Sequence, residues 1–392
     1  MQPTCSTLNH MPTSAAAEIS SYLKHGDYSV AVRRTLDLCL DTGVDDLIEK
    51  AIDWSRNYHA FENAETGNAL PGSFFDEAEN ILQQASVADT ATIHQQQQLI
   101  SACKISKKYR NGSFSLKPID LSINTGNVLG VVGENGNGKT TLLRCLAGQL
   151  GIDNGQIKYH LLQNPNQYAI KNHIAFMPQR IPKWYGLLKD NLHFSAAIAG
   201  INGDKNDLMV SFMLERLNLS NYANLTWDEI SSGYRTRFEI ARILLQKPRL
   251  LILDEPLANL DINAQQTILT DLIFMAKGTH NPMGIILSSQ QLHEVEKVAD
   301  TVIFIKQGNC IYKSNDQEGK ITSNAVEFET KASRESIVVL FGEKDIELQF
   351  NGGFYTIISS QFTSQQIIEK LIDAKIPVTY FRDITYSTKR LF

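Results

Sequence analysis

Three stretches of different texture predict an α/β core organised around one glycine-rich loop, preceded by an all-α module and followed by a small α+β lobe. The first is nine residues, GENGNGKTT from Gly133 to Thr141, set between the apolar run Val128 to Val132 and the helical LLRCLAG. The second is the alternation of short strands with helices from Leu99 onward, the pattern of a mostly parallel sheet covered by helices. The third is the change of period on either side, with apolar residues at three-to-four spacing before Gln84 and alternating ones after about Thr322. The boundaries expected from these shifts are 1–90 for the helical module, 91–98 for a linker, 99–320 for the core and 321–392 for the lobe.

In the module, Ile19, Tyr22 and Leu23, then Val32, Leu36 and Leu40, then Leu47, Ile48 and Ile52 mark helices broken at Gly26 and Gly43. A further short helix is expected from Ser73, with Asp76 as an approximate capping box. No chemistry is legible there, and an appended module fits as well as a docking or regulatory one. ADTATIHQQQQ, from Ala88 to Gln98, is polar and uneven in composition, as a linker is. Core strands are expected at Leu99 to Ile105, Val128 to Val132, Ile174 to Met177, Leu250 to Leu253, Ile285 to Ser288 and Val302 to Lys306. Helices should start at Lys139 and Asp190 and cover Asp207 to Leu217, Gly233 to Gln246, Asn263 to Met275 and Gln291 to Ala299. In the lobe, AVEFET, SIVVLF, IELQF, FYTIIS and VTYF read as strands and SQQIIEKLIDA, from Ser364, as a helix.

A chain of 392 residues with 43% hydrophobic content has the size of two or three domains. A net charge of −5 supplies no basic stripe for a phosphate backbone, so nucleic acid is not expected as a partner. No run approaches 18 apolar residues, and MQPTCSTLNHMPTSAAAE has neither a basic nor an apolar region of a secretory signal, so a cytoplasmic location is expected. Five scattered cysteines without a C-x-x-C fit reduced thiols, and the dispersed histidines suggest no metal site.

GENGNGKTT has the spacing G-x-x-x-x-G-K-[ST]. Gly133, Gly136 and Gly138 let successive backbone N–H groups of the loop, through Asn135 and Asn137, turn inward onto phosphate oxygens at the positive end of the next helix. Lys139 would bridge the β- and γ-phosphates, Thr140 would place its hydroxyl on Mg²⁺, and Thr141 would serve the first helical turn or the α-phosphate. Farther along, 115 residues past Lys139, RLLILDEP ends an apolar strand at Asp254 and Glu255. Beside such a loop, an acidic residue at a strand end can hold Mg²⁺, and its neighbour can orient or deprotonate a water. Alone, Asp-Glu-Pro is equally a solvated turn.

Residues 99 to about 315 resemble the nucleotide-binding domain of an ABC (ATP-binding cassette) ATPase. GENGNGKTT is similar to its Walker A, LLILDE to its Walker B, and ISSGY, Ile230 to Tyr234, to its LSGGQ signature; Gln179 in FMPQR matches the Q-loop, Asp261 of ANLD the D-loop, and Tyr109 the aromatic that stacks on adenine. The resemblance implies ATP and Mg²⁺ as cofactors, with the metal held by Thr140, Gln179 and Asp254, and Glu255, Gln179 and the switch residue as the catalytic set. It also implies that Ser231, Ser232 and Gly233 receive the γ-phosphate bound by a second subunit, in a head-to-tail dimer, most simply of two identical chains. Standing alone, Tyr109 would equally be a strand-packing residue and the Ser-Ser-Gly an ordinary helix cap.

Two segments, the signature and the switch, depart from the family. Ser232 replaces the first signature Gly and Tyr234 the Gln. The strand GIILSS, where a switch His should follow, is followed by Gln290, with the register supported by Ala299-Asp300 nine and ten residues on. The resemblance implies the energising subunit of a membrane transporter, peripheral on the cytoplasmic face and working through separate transmembrane permease subunits. KWYGLLKDNLHFSAAIAGI, after Gln179, resembles the region that docks on those subunits, with Lys183, Trp184 and Tyr185 either marking an exposed patch or, for Trp184, packing into the core; a tail ending FRDITYSTKRLF resembles export-type members. The alternatives are a soluble cassette acting on ribosomes or DNA, and a slow regulatory ATP-binding module.

Overall fold

The computed structural model describes residues 15–63, 70–88, 96–109, 114–162, 166–258, 260–278, 282–313, 323–342 and 345–385. Four helices come first: α1 (Ala15–His25), α2 (Tyr28–Thr42), α3 (Asp45–Asn63) and α4 (Gly72–Ala88). The α2–α3 break falls at Gly43, whose φ of 69° is left-handed and lets its N–H turn back onto the Leu40 carbonyl. The fourth helix is longer than expected and starts one residue earlier, so Ser73 lies inside it rather than capping it; Phe74, Ala78, Ile81, Leu82 and Ala85 give it a buried stripe over its whole length. Trp54 stacks on Phe74 at 4.7 Å and donates its indole N–H to the Phe74 carbonyl at 3.0 Å.

The core then runs β1 (Gln98–Lys108), β2 (Ser115–Asn124), β3 (Val128–Val132), α5 (Lys139–Leu146), β4 (Asn154–Tyr159), α6 (Gln167–His173), β5 (Ile174–Met177), α7 (Leu188–Ile198), α8 (Asp204–Arg216), α9 (Ser232–Leu244), β6 (Leu250–Leu253), α10 (Ile262–Ala276), β7 (Gly284–Ser289), α11 (Leu292–Val295), β8 (Thr301–Lys306) and β9 (Asn309–Lys313). Among the described residues the main sheet has the order β5-β6-β7-β3-β8-β9, parallel except for β9, and a second antiparallel sheet has the order β2-β1-β4. Every residue of β3, β6 and β7 is buried, as in a parallel sheet covered on both faces. The helices α7 to α9, inserted between β5 and β6, make a helical lobe beside the sheet. Three core strands and a helix were not expected from sequence. β2 carries Pro118, tolerated because β2 is an edge strand. β4 is largely exposed, and only Ile157 and Tyr159 of its six residues face the core, too short an alternation to stand out. α6 has only seven residues, and β9 is the antiparallel return of a tight hairpin. α11 is also shorter than expected, four residues ending at Val295.

The last unit is β10 (Asn324–Thr330), α12 (Arg334–Phe341), β11 (Glu347–Asn351), β12 (Phe354–Ser359), α13 (Ser364–Asp373) and β13 (Val378–Asp383), a βαββαβ arrangement with sheet order β11-β12-β10-β13. SIVVLF, expected as a strand, is helix α12. Ser333 caps it by accepting from Ser336 N, and Ile337 and Phe341, four apart, are its buried residues. The closing residues 386–392, where an export-type tail is expected, lie outside the described residues, as does most of the linker.

The helical module is not simply appended. Val32, Leu36, Ile48 and Ile52 belong to the same apolar core as Phe212 on α8, Leu272 on α10 and Leu253 on β6.

Candidate functional site

The loop from Gly133 to Gly138 leaves β3 at the centre of the main sheet and enters α5. Gly136 (φ 81°) and Gly138 (φ 104°) take left-handed backbone that the turn requires. A side chain at Gly133 would land on the Ile305 carbonyl oxygen, and one at Gly138 on the Phe114 ring. Asn137 pins the loop to the β8–β9 turn, its Oδ1 accepting from Gln307 N at 2.8 Å and its carbonyl from Gly308 N at 3.0 Å. Its side chain therefore shapes the loop, leaving the phosphate contacts to backbone N–H groups. Asn135 and Gly136 line the loop cavity directly.

Lys139 is 5% exposed, and its ammonium donates to the Gly133 carbonyl at 2.6 Å and the Glu134 carbonyl at 3.2 Å. It also lies 2.9 Å from Glu255 Oε1, an ion pair without the angle of a hydrogen bond. Thr140 donates its hydroxyl to Asp254 Oδ2 at 2.7 Å, so the two groups assigned to the metal are neighbours across 114 residues of chain. Ser288, at the end of β7, holds both carboxylate residues in place: its hydroxyl donates to Asp254 Oδ1 at 2.8 Å and accepts from Glu255 N at 2.9 Å. Glu255 has φ +52°, an uncommon backbone for a residue with a side chain and one that turns its carboxylate back over the loop. Sequence reasoning missed Ser288, because its role follows from the pairing of β7 with β6, which only the sheet order reveals.

Two cavities meet at Thr140 and Gln179. One, of about 140 Å³, is lined by Phe114, Glu134, Gly138, Lys139, Thr141 and Glu255 among others; the second, of about 450 Å³, by Arg144, Phe176, Arg180 and Asp254 among others. Both sequence-assigned ligands besides Asp254, Thr140 and Gln179, thus face the same space. Tyr109 leans over the loop, its hydroxyl 3.2 Å from the Thr141 hydroxyl and its ring beside Phe114. Phe114, a second aromatic at the loop, was not singled out from sequence.

The remaining residues lie elsewhere. Ser231 and Ser232 are exposed at the N-terminus of α9, with half-buried Gly233 behind them, and line neither cavity. Tyr234 packs back onto Tyr222, ring centroids 3.8 Å apart, so its bulk is absorbed inside the helical lobe. Burial and the hydrogen bond with Tyr222 raise its hydroxyl above the usual range. Asp261 caps α10 by accepting from Ala264 N at 2.8 Å. Gln290 is exposed just past β7, and its neighbour Ser289 donates to buried Glu294 at 3.0 Å. Asp300 accepts from Val128 N at 2.8 Å, which ties the end of the switch region to β3.

Among the described residues no group of three or more His, Cys, Asp or Glu side chains forms a metal cage. The oxygens of Thr140 and Asp254, with Gln179 lining the same cavity, could serve as the hard, sparse donor set of a cation that takes its other ligands from phosphate and water.

The family model described as "ABC transporter" matches residues 116–258. The peptide export ATP-binding protein SkfE of Bacillus subtilis is 30% identical over 218 residues, 55% of this chain and 88% of the relative. The phosphonates import ATP-binding protein PhnC of Treponema denticola is 27% identical over 223 residues, 53% of this chain and 86% of the relative. Among solved structures, cbiO1 of Clostridium perfringens, part of the ABC transporter complex cbiONQ, shares 25% identity with a TM-score of 0.51 over 57% of this chain and 90% of its own. These matches cover most of each relative but only the middle of this chain, and the loop, the Asp254–Glu255 strand end and the signature segment all fall within that middle: the chain belongs to the ABC transporter ATP-binding family, as a P-loop ATPase carrying an additional helical module and C-terminal lobe.

Proposed function

We propose that the chain binds Mg-ATP at the loop, pairs with a second copy, and uses hydrolysis to drive export through separate membrane subunits. The observation that carries this reading is the pairing of Thr140 with Asp254 and of Lys139 with Glu255 at one strand end. Thr140, Asp254 and Gln179 would hold Mg²⁺, which supplies charge neutralisation on the phosphates. Incoming phosphates take Lys139 away from Glu255, and the released carboxylate orients the attacking water and accepts its proton. Ser231, Ser232 and Gly233 of the second copy offer hydroxyl and backbone N–H groups at a positive helix end to the γ-phosphate.

A membrane partner is supported by the surface next to the Q-loop. Trp184 is buried against Trp227 at 5.1 Å and Lys183 pairs with Asp228, but Tyr185 is 81% exposed, and Phe194 and Ile198 of α7 are 68% and 69% exposed. An exposed aromatic and aliphatic row of this kind marks an interaction site. Capture of the full chain from detergent-solubilised membranes should retain an integral membrane protein, and a Tyr185→Ala, Phe194→Ala double variant should lose it while still binding Mg-ATP. Retention by the double variant would remove this surface from the proposal. Export is favoured over import by the likeness to SkfE and by the tail sequence, against the likeness to PhnC; nucleotide-dependent flux in sealed vesicles decides it.

Gln290 sets the expected speed. An amide donates one neutral hydrogen bond to the γ-phosphate and cannot carry the proton or partial positive charge of a His. The difference is on the order of 1 to 2 kcal/mol, or about 5 to 30-fold in rate. Steady-state ATPase of Gln290→His is expected to exceed wild type by that factor; an unchanged or lower rate would place the γ-phosphate sensor elsewhere.

A further inference from the structure

The helical module meets the core where the helical lobe joins the sheet. On one side of that joint is α8, in the lobe that carries Ser231 and Ser232; on the other is α10, which packs on β7 and is capped by Asp261. A run of alternating charges crosses it. Arg33 Nη1 donates to Asp271 Oδ1 at 2.8 Å, and the same oxygen accepts from Arg216 Nη1 at 2.8 Å. Arg216 then grips both oxygens of Asp37, through Nε at 2.7 Å and Nη2 at 3.0 Å. The run begins and ends on α2, one helical turn apart, and its middle links α10 to α8. Arg34 adds a contact over the Phe274 ring at 4.4 Å, and on α3 Ser55 and Arg56 both reach buried Glu215.

Arg216 and Asp271 are only 3% and 4% exposed. Burial works against the Arg216 charge, and the Asp37 and Asp271 carboxylates more than offset it, holding the guanidinium above its ordinary value. A buried ion pair stabilises a fold little more than apolar side chains of the same volume would, whereas stranding one member is costly. Such a group, with partners on three helices, therefore selects one mutual arrangement of those helices: sliding α8 along α10 by an ångström or two would leave a charge without its partner.

We infer that α2 is a strap across the joint, and that Arg33 and Asp37 are positioning residues for hydrolysis: through Asp271 and Arg216 they set the angle of the helical lobe, and with it Ser231 and Ser232, against the Asp254–Glu255 end of the sheet. This rests on the reading that the signature segment serves the γ-phosphate of a second copy. Neither strap residue lines the nucleotide cavities.

The test uses the full chain with Arg33→Gln and Asp37→Asn, singly and together; both remove the charge, and Asp37→Asn also keeps the side-chain shape. Mg-ATP affinity and KM should stay at wild-type values. The kcat of the double variant should fall about ten- to a hundredfold, the size of effect that a small misplacement produces. Asp37→Glu, which restores a carboxylate, should recover activity toward wild type. Amide hydrogen exchange should quicken in α8 and α9 and not in β3 or α5. A double variant with wild-type kcat, whatever its melting temperature, overturns the inference, and so does exchange that quickens throughout the sheet with loss of ATP affinity, which is general unfolding. If the wild-type chain alone turns over no ATP, the proposed catalytic reading is what has failed, and the exchange pattern decides the strap by itself: selective loosening of α8 and α9 upholds it, and an unchanged pattern overturns it.

Discussion

Lys139→Ala removes Mg-ATP binding while the chain stays folded. The ammonium is buried on two loop carbonyls and one carboxylate, so it waits at the place where β- and γ-phosphate oxygens arrive. Each charge-assisted contact contributes about 1.5 to 3 kcal/mol, and the lysine reaches two phosphates, so the expected loss is roughly a hundredfold to ten-thousandfold in affinity. The alanine leaves no void in an apolar core, but it strands Glu255, itself only 9% exposed, without its cation. A drop in nucleotide-free stability of about 1 to 3 kcal/mol should accompany the loss of binding. Calorimetric titration with Mg-ATP and thermal unfolding by circular dichroism check the two parts separately. A folded variant that keeps its affinity would contradict the assignment of the loop.

The phosphate loop was legible because a single stretch contains all that shapes it: glycines where the backbone must turn, a lysine, a hydroxyl, a strand before and a helix after. Asp254 and Glu255 were legible as acidic residues ending an apolar strand, and a candidate site only in combination with the loop. What makes them a site is Ser288 on the next strand, and pairing between strands is invisible in a single chain until the sheet order is known. SIVVLF shows a different limit. Over six residues a nearly continuous apolar run fits either period, and the Ser333 cap and Gly342, at φ 89°, decided for the helix. The strap was beyond reading, since Arg33 and Asp271 lie 238 residues apart and nothing local marks them as partners. The same holds for Trp184, whose burial depends on Trp227 in a distant turn, while its neighbour Tyr185 stays exposed.

Glu255→Gln traps a dimer in Mg-ATP. The amide keeps the shape of the side chain and loses the charge, so Lys139 is released to the phosphates more readily and nothing remains to take the proton from water. Contacts from the loop of one copy and from Ser231 and Ser232 of the other persist as long as the γ-phosphate is not cleaved. Light scattering should report roughly twice the monomer mass with Mg-ATP and the monomer without it. A variant that stays monomeric at saturating nucleotide would mean either that the altered signature segment does not close on a second copy or that the native dimer needs membrane subunits or a different cassette.

Release of inorganic phosphate at saturating Mg-ATP, measured on the full wild-type chain beside Glu255→Gln, tests most directly the claim that this strand end is a hydrolytic site. Slow but steady release by wild type is expected, reduced by about a hundredfold or more in the variant, the usual weight of a general base. Equal release by the two proteins would contradict it, because the carboxylate that Lys139 holds 2.9 Å away would then have no part in the chemistry.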